Sequence, residues 1–253
     1  MWYGNLIGLK QISFIKGNYF IEHLALQKKI RLGHLVERFV SKELENIADI
    51  QVLAENIQVK NNKVTIGELD SLLINNNTPV HLEIVYKFYL YDESVGNSEI
   101  EHWIGPNRND SLIEKITKLK NKQLPLLYKT ETETIIKKFN LDINTIQQEV
   151  YFKAQLFVPF HLFNKPLRVI NNNCIMGYYI NFSAINKLKN HQFYVPSKLD
   201  WLVEPHSNVD WMNFEAATSQ IKDFINNKRS PLCWIKNKKS ALQKTFIVWW
   251  ENN

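Results

Sequence analysis

The sequence predicts an α/β or α+β fold, with a central mixed sheet flanked by helices and a C-terminal α+β extension. Three observations predict it. A helical run at about 30–47 precedes three strand-like runs joined by asparagine-rich turns. A second helix and a further strand follow, so helices and strands alternate. No internal repeat or low-complexity linker divides the 253 residues. They read as one structural unit: a core over 1–160 with its N-terminal segment, and an extension over 161–253.

Residues 1–29 are rich in aromatics (Trp2, Tyr3, Phe14, Tyr19, Phe20) and read as a segment packed on the core, with a helix near 19–28. In the helix at 30–47, Leu32, Leu35, Val36, Phe39, Val40, Leu44 and Ile47 recur at helical spacing. Glu37 shares a face with Val40 and Leu44 and borders the buried stripe. Gly33 predicts a close approach to a neighbouring strand. A strand at 50–59 and the turn Asn61-Asn62-Lys63 lead into a hairpin over Val64–Leu90, whose turn is the run Asn75 to Pro79. Tyr91 to Asn109 is a polar excursion containing HWIGPNRND. The next helix starts at Asn109 or Ser111, where Ser111 and Glu114 have capping-box spacing. It buries Leu112, Ile113, Ile116 and Leu119, exposes Lys115, Lys118, Lys120 and Lys122, and is kinked or ended by Pro125. A helical stretch at 131–149, broken near 140–144, precedes a strand at 150–160. The extension carries helical stretches near 183–189 and 212–227 and a last strand at 245–250.

Composition sets wide bounds. The chain is 45% hydrophobic and 22% charged, as in globular proteins, and its net charge of +6 permits an anionic partner without requiring one. Cys174 and Cys233 lack metal-type spacing and read as reduced core thiols. No signal-peptide pattern and no apolar run near the roughly 18 residues of a membrane span is present. The expected setting is therefore cytoplasmic, with no membrane partner. Nucleotide-binding glycine loops, Ser-His-Asp arrangements and zinc-type clusters are absent from the sequence.

The chemistry concentrates in the hairpin. With its turn centred between Asn76 and Asn77, residues whose numbers sum to 153 face each other, and Asp70 and Glu83 satisfy that sum. Like charges opposed across strands are destabilising. A divalent cation shared by the two carboxylates compensates economically; a hydrogen-bonded structural pair is the alternative. Lys87 shares the face of Glu83 by strand parity. His81 lies on that face too, as a partner of Glu83 or a plain strand residue. Glu68 is a second ligand or an acid near the strand edge. The lysines of 115–122 are a wet helix face or a phosphate-backbone groove. His102 and Trp103 cap the site or fasten their loop. Tryptophans 201, 211, 234, 249 and 250 read as core or interdomain packing, with base stacking on one or two as the alternative.

These motifs resemble the PD-(D/E)XK nuclease superfamily over about 30–160. The resemblance rests on LGHLVE at 32–37, GELD at 67–70, HLEIVYK at 81–87 and QLPLLY at 123–128. TIGELD, EIVYKFYL, HWIGPN and KITKLKNKQL, in that order, also resemble a bacterial family of unknown function assigned to that superfamily. The resemblance implies a restriction-endonuclease-like core and metal-dependent phosphodiester hydrolysis of nucleic acid, DNA ahead of RNA. Asp70 and Glu83 would hold Mg²⁺ (or Mn²⁺), Lys87 would assist the attacking water, and Glu37 and Gln123 would complete the site. The superfamily's acid and lysine are usually two residues apart, a position held here by Val85. Lys87 stands four residues from Glu83, about 13 Å along an ideal strand. Another lysine, Lys115 or Lys153, could serve instead. The alternative is a catalytically inactive module of the same fold that binds nucleic acid or a protein.

Overall fold

The computed structural model describes residues 1–2, 7–12 and 30–251. The helix expected near 19–28 lies outside the described residues. Among the described residues the fold is α/β, with a mixed sheet of nine strands, as the alternation of helices and strands predicts. Two compact units interleave along the chain. The first comprises Gly4–Tyr86 and Lys115–Lys153; the second comprises Met1–Tyr3, Lys87–Glu114 and Ala154–Asn253.

In the first unit, helix α1 (Leu32–Glu45) buries Leu35, Val36, Val40 and Leu44. Three antiparallel strands follow as a meander: β1 (Ile50–Asn61), β2 (Val64–Asn75) and β3, which starts at Thr78 and runs to Tyr91. Asn76 and Asn77 both have positive φ, 46° and 63°. That is the backbone of a type I′ hairpin turn, which asparagine adopts more readily than other side-chain-bearing residues. The resulting pairs, from Asn75↔Thr78 to Ser71↔Leu82, all sum to 153. Asn62, at φ 54°, turns β1 into β2.

The second helix changes character along its length. α2 (Leu112–Lys118) continues as a π-turn over Leu119–Gln123 and a 3₁₀ turn over Leu124–Tyr128. Pro125 explains the change. It has no N–H to give and its ring would crowd the carbonyl four residues back. The wider π-turn, closed by Leu124 N–H donating to Leu119 O, precedes it. Leu126 and Leu127 of the 3₁₀ turn pack with Val59, Leu69 and Leu72 of the meander and with Ile136 of α3 (Thr130–Lys137). Gly67 permits this, since a Cβ there would lie 2.5 Å from Leu126 Cδ2. Gly33 differs from expectation: a Cβ there would meet nothing within 4 Å, so it makes no close approach to a strand. The helical stretch expected over 131–149 is shorter, because Lys137 ends α3 and β5 begins at Gln147. Asn140, at φ 55°, breaks the helix between them.

In the second unit, β4 (Trp103–Ile104) pairs with the end of β3. The later part of β5 (Gln147–Pro159) pairs in parallel with β6 (Ile175–Asn181). β7 (Gln192–Tyr194), helix α4 (Phe214–Asn226), β8 (Leu232–Lys236) and β9 (Leu242–Val248) follow. β9 is parallel to β6 and antiparallel to β8, which pairs with β7. Ala217 and Ile221 of α4 pack on Tyr178, Phe193, Cys233 and Ile247. Asn213 caps α4, accepting from Ala216 N–H at 2.9 Å. Trp234 is buried beside Tyr194, Trp250 lies against Tyr179, and Trp201 meets Phe88 and Phe246 edge-on. Cys174 and Cys233 form no disulfide, and burial pushes the Cys233 thiol up.

The HWIGPNRND loop is fastened within the second unit. Trp103 is fully buried, and His102 Nδ1 donates to Val95 O at 2.6 Å. Pro106 O accepts from Ser230 Oγ and Trp250 Nε1. Buried Asp92 accepts from Arg108 Nη1 at 2.7 Å and from Ser94. Among the described residues, no helix is long and apolar enough to cross a membrane.

The two glycines give opposite expectations. Gly67→Val forces the buried Leu126 aside and should cost about 1–3 kcal/mol. Gly33→Ala fills open space in a helix and should stabilise by up to about 1 kcal/mol. Denaturant melts of both variants check the signs; equal effects would refute the packing at Gly67.

Candidate functional site

The register places Asp70 and Glu83 one step beyond the last paired residues of β2 and β3, Ser71 and Leu82. At that step a side chain enters the ladder. Ile84 N–H donates to Asp70 Oδ2 at 2.8 Å, so the carboxylate takes a backbone amide that pairing would otherwise satisfy. Glu83 is fully enclosed. Its two oxygens are held separately: Oε1 lies 3.0 Å from His81 Nε2, and Oε2 accepts a short hydrogen bond from Gln123 Nε2. Gln123 stands at the end of the π-turn, so the helix distortion forced by Pro125 presents it to β3. Lys115 Nζ donates to Gln123 Oε1 at 2.7 Å.

The direction of each bond in this chain follows from its ends. Lys115 is donor only, so Gln123 must turn its oxygen to Lys115 and its amide nitrogen to Glu83. On the other side, Gln148 Nε2 donates to Leu124 O at 2.5 Å, which fixes that amide's orientation. The same nitrogen lies 3.2 Å from His81 Nδ1, which must then accept. His81 therefore carries its proton on Nε2 and gives it to Glu83. Two donor chains, Lys115–Gln123 and Gln148–His81, converge on one buried carboxylate.

Asp70 has no such escort. Burial, then the charge of Glu83, push its carboxyl up from 3.8 to about 7; Glu37 adds in the same direction, and the Ile84 amide and Lys115 oppose them. The charges of Glu37, Glu83 and Lys115 thus all act on Asp70. Asp70 also lines a cavity of about 680 Å³ formed by α1 and the meander. Arg31, His34, Glu37, Arg38, Ser41 and Lys42 reach it from the α1 side. Glu55, Asn56, Glu68 and Ile84 line it from the strands. Glu37 is tied to His34 at 3.0 Å, and Ser41 Oγ donates to Glu55 at 2.8 Å.

Of the residues singled out in the sequence, Asp70 and Glu37 share this cavity, whereas Glu83 and Gln123 meet in the buried network and do not line it. Lys87 belongs to the second unit, where its Nζ donates to Asp110 Oδ2 at 2.6 Å. Lys153 Nζ lies over the Tyr151 ring at 4.7 Å. Lys115 joins the acids' hydrogen-bond network through Gln123. Val85, at the position two residues after Glu83, is buried. Sequence reasoning missed Gln148 and the cavity's basic wall. The wall had a signal, since 31, 34, 38 and 42 recur at helical spacing; a lone glutamine at a strand start has none.

Among the described residues, no group of three or more His, Cys, Asp or Glu side chains could by itself hold a metal ion. The donor chemistry still suits Mg²⁺, which binds through one or two carboxylates and takes its remaining ligands from water and substrate phosphate. Each Glu83 oxygen keeps a lone pair beyond its hydrogen bond. Asp70, held near neutral for want of positive charge, is the acid a cation would restore to its ionised form.

Two outcomes test this geometry. Below about pH 4 Asp70 is protonated folded and unfolded alike; between about 4 and 7 only the unfolded chain releases the proton, so stability falls with rising pH, and the penalty persists above 7. In chelator, Asp70→Asn should therefore raise the melting temperature at about pH 8 and change it little at about pH 4. A loss of stability at pH 8 would contradict the assignment. His81→Phe takes away the buried donor to Glu83 Oε1 and the acceptor of one Gln148 hydrogen bond, and should cost about 1–3 kcal/mol in a urea melt.

A family model described as a domain of unknown function (DUF1853) matches residues 18–248. Neither a curated protein nor a solved structure matches the chain.

Proposed function

Since the chain belongs to the DUF1853 family, whose description assigns no activity, we propose from the site itself a metal-dependent phosphodiesterase acting on nucleic acid, with a restriction-endonuclease-like core. The observation that supports this most is the joining of residues from four elements around two acids. Glu37 comes from α1, Asp70 from β2, Glu83 from β3, and Lys115 and Gln123 from the helix that follows. Helix acid, paired strand acids and a lysine are the parts such chemistry needs.

Asp70 and Glu83 would hold Mg²⁺ or Mn²⁺. Such an ion, when bound, lowers the pKa of a coordinated water and neutralises charge on the scissile phosphate. The chain's own residues supply the rest. Gln123 and His81 fix the Glu83 carboxylate, so its lone pairs are presented without reorganisation. Lys115 gives one of its three protons to Gln123 and brings a point charge to the phosphate side. This ammonium takes the part first read for Lys87. Glu37 is positioned by His34 to orient water at the cavity. The basic cavity wall suits a polyanion, and a nucleic-acid partner, DNA ahead of RNA, follows from this reading. Buried Val85 supports a second reading, a binding module of the same fold without turnover.

Calorimetric titration with Mn²⁺ should find a site in the parent that Asp70→Asn loses. With Mg²⁺, labelled DNA or RNA should be cleaved. Lys115→Met should slow cleavage by about a hundredfold or more while keeping metal binding, and Lys87→Ala should have little effect. Nucleic-acid binding without turnover would favour the second reading. A chain that binds no divalent ion and cleaves no nucleic acid would end the first.

A further inference from the structure

The cavity has a sorted lining. Arg31, the N-cap of α1, and His34, Arg38 and Lys42 within the helix follow one another at i, i+3, i+7 and i+11, a stripe that starts at the cap and runs along α1. Glu37 and Ser41 form the neighbouring stripe, between the basic one and the buried face of Val36, Val40 and Leu44. Basic side chains thus stand on one side of Glu37, and Asp70 and Glu68 line the same cavity from β2. A ligand that must present negative charge to a wall and oxygen ligands to an acid-bound cation is a phosphodiester.

Spacing and size narrow the ligand further. Arg31 and Arg38 are about 10 Å apart along the helix axis, and Arg38 and Lys42 about 6 Å. A single backbone offers phosphates at steps of this order. Lys42 is paired with exposed Glu45, an i,i+3 ion pair of the kind that yields readily to a stronger anion. The cavity, about 680 Å³, is the size of a small-molecule cleft. It has room for a nucleotide or two, so a single strand can reach Asp70 inside it, whereas a stacked base pair with both backbones would lie across its mouth. The reacting phosphate must come to Asp70 inside this space.

We propose that the basic stripe of α1 is a phosphate track for one strand of nucleic acid, which makes the site selective for single-stranded substrate or strand ends. The inference rests on the nuclease-site reading. Arg31, Arg38 and Lys42 hold successive phosphates, and the strand they hold passes Asp70. A duplex enters only where it is frayed.

Fluorescence anisotropy with a labelled single-stranded oligodeoxynucleotide of about a dozen residues and its blunt duplex, in chelator and over a series of salt concentrations, tests the track without turnover. The parent should bind the single strand at least about tenfold tighter than the duplex. Arg31→Ala/Arg38→Ala should lose about tenfold or more at moderate salt. Its salt slope should fall by about 1.4, two single-strand contacts at about 0.7 each. Lys137→Ala, on α3 and outside the cavity lining, is the control and should change neither value. Melting curves verify that the double variant is folded. Tighter binding of the duplex, or an unchanged slope in the double variant, overturns the track while leaving the phosphodiesterase reading intact. No binding of either oligonucleotide by the parent overturns the track, and the phosphodiesterase reading falls with it only if cleavage with Mg²⁺ is absent too. Cleavage lost in Asp70→Asn with the strand preference retained supports both.

Discussion

Asp70 accepts the Ile84 amide at the step where β2 and β3 stop pairing. The rest of the site depends on this one bond. It fixes a carboxylate at the end of the ladder, beside the buried Glu83 and on the cavity under α1. The bond favours the ionised acid, yet burial and Glu83 outweigh it and leave Asp70 near neutrality. Asp70 is thus pre-positioned and short of positive charge.

Glu83 solves the same problem in the opposite way. It is surrounded by donors whose orientation is set at both ends, by an ammonium on one side and a carbonyl on the other. Two neighbouring acids therefore have different environments, one satisfied by oriented dipoles and one awaiting charge. The π-turn before Pro125 contributes directly, because it ends at Gln123.

Much of the meander was legible. Asparagines at both turns and strict numbering about Asn76 and Asn77 set a register that holds from Asn75 to Ser71. Helical spacing located α1 and α4, since a long amphipathic stripe is a strong periodic signal. The break expected near 140–144 falls at positive-φ Asn140, but weak periodicity failed beyond it, where no sequence pattern announced strand by Gln147 in place of more helix. Gly33 was misread because helix glycine signals close approach only when something lies opposite, and that is a tertiary fact. The grouping of Lys87–Glu114 with the C-terminal half likewise depends on contacts distant in sequence.

The sequence by itself determined which acids come together: residue type and a two-residue turn put Asp70 and Glu83 at facing positions one step beyond the ladder, and helical spacing put Glu37 beside the core. Only the tertiary structure decided which cation accompanies them. Lys87 was chosen by strand parity, yet its ammonium goes to Asp110, while Lys115 reaches the acids' network from a different element. Local periodicity says which way a backbone bond points. It does not say where the end of a long flexible side chain finds its partner, because that depends on which elements the fold brings alongside.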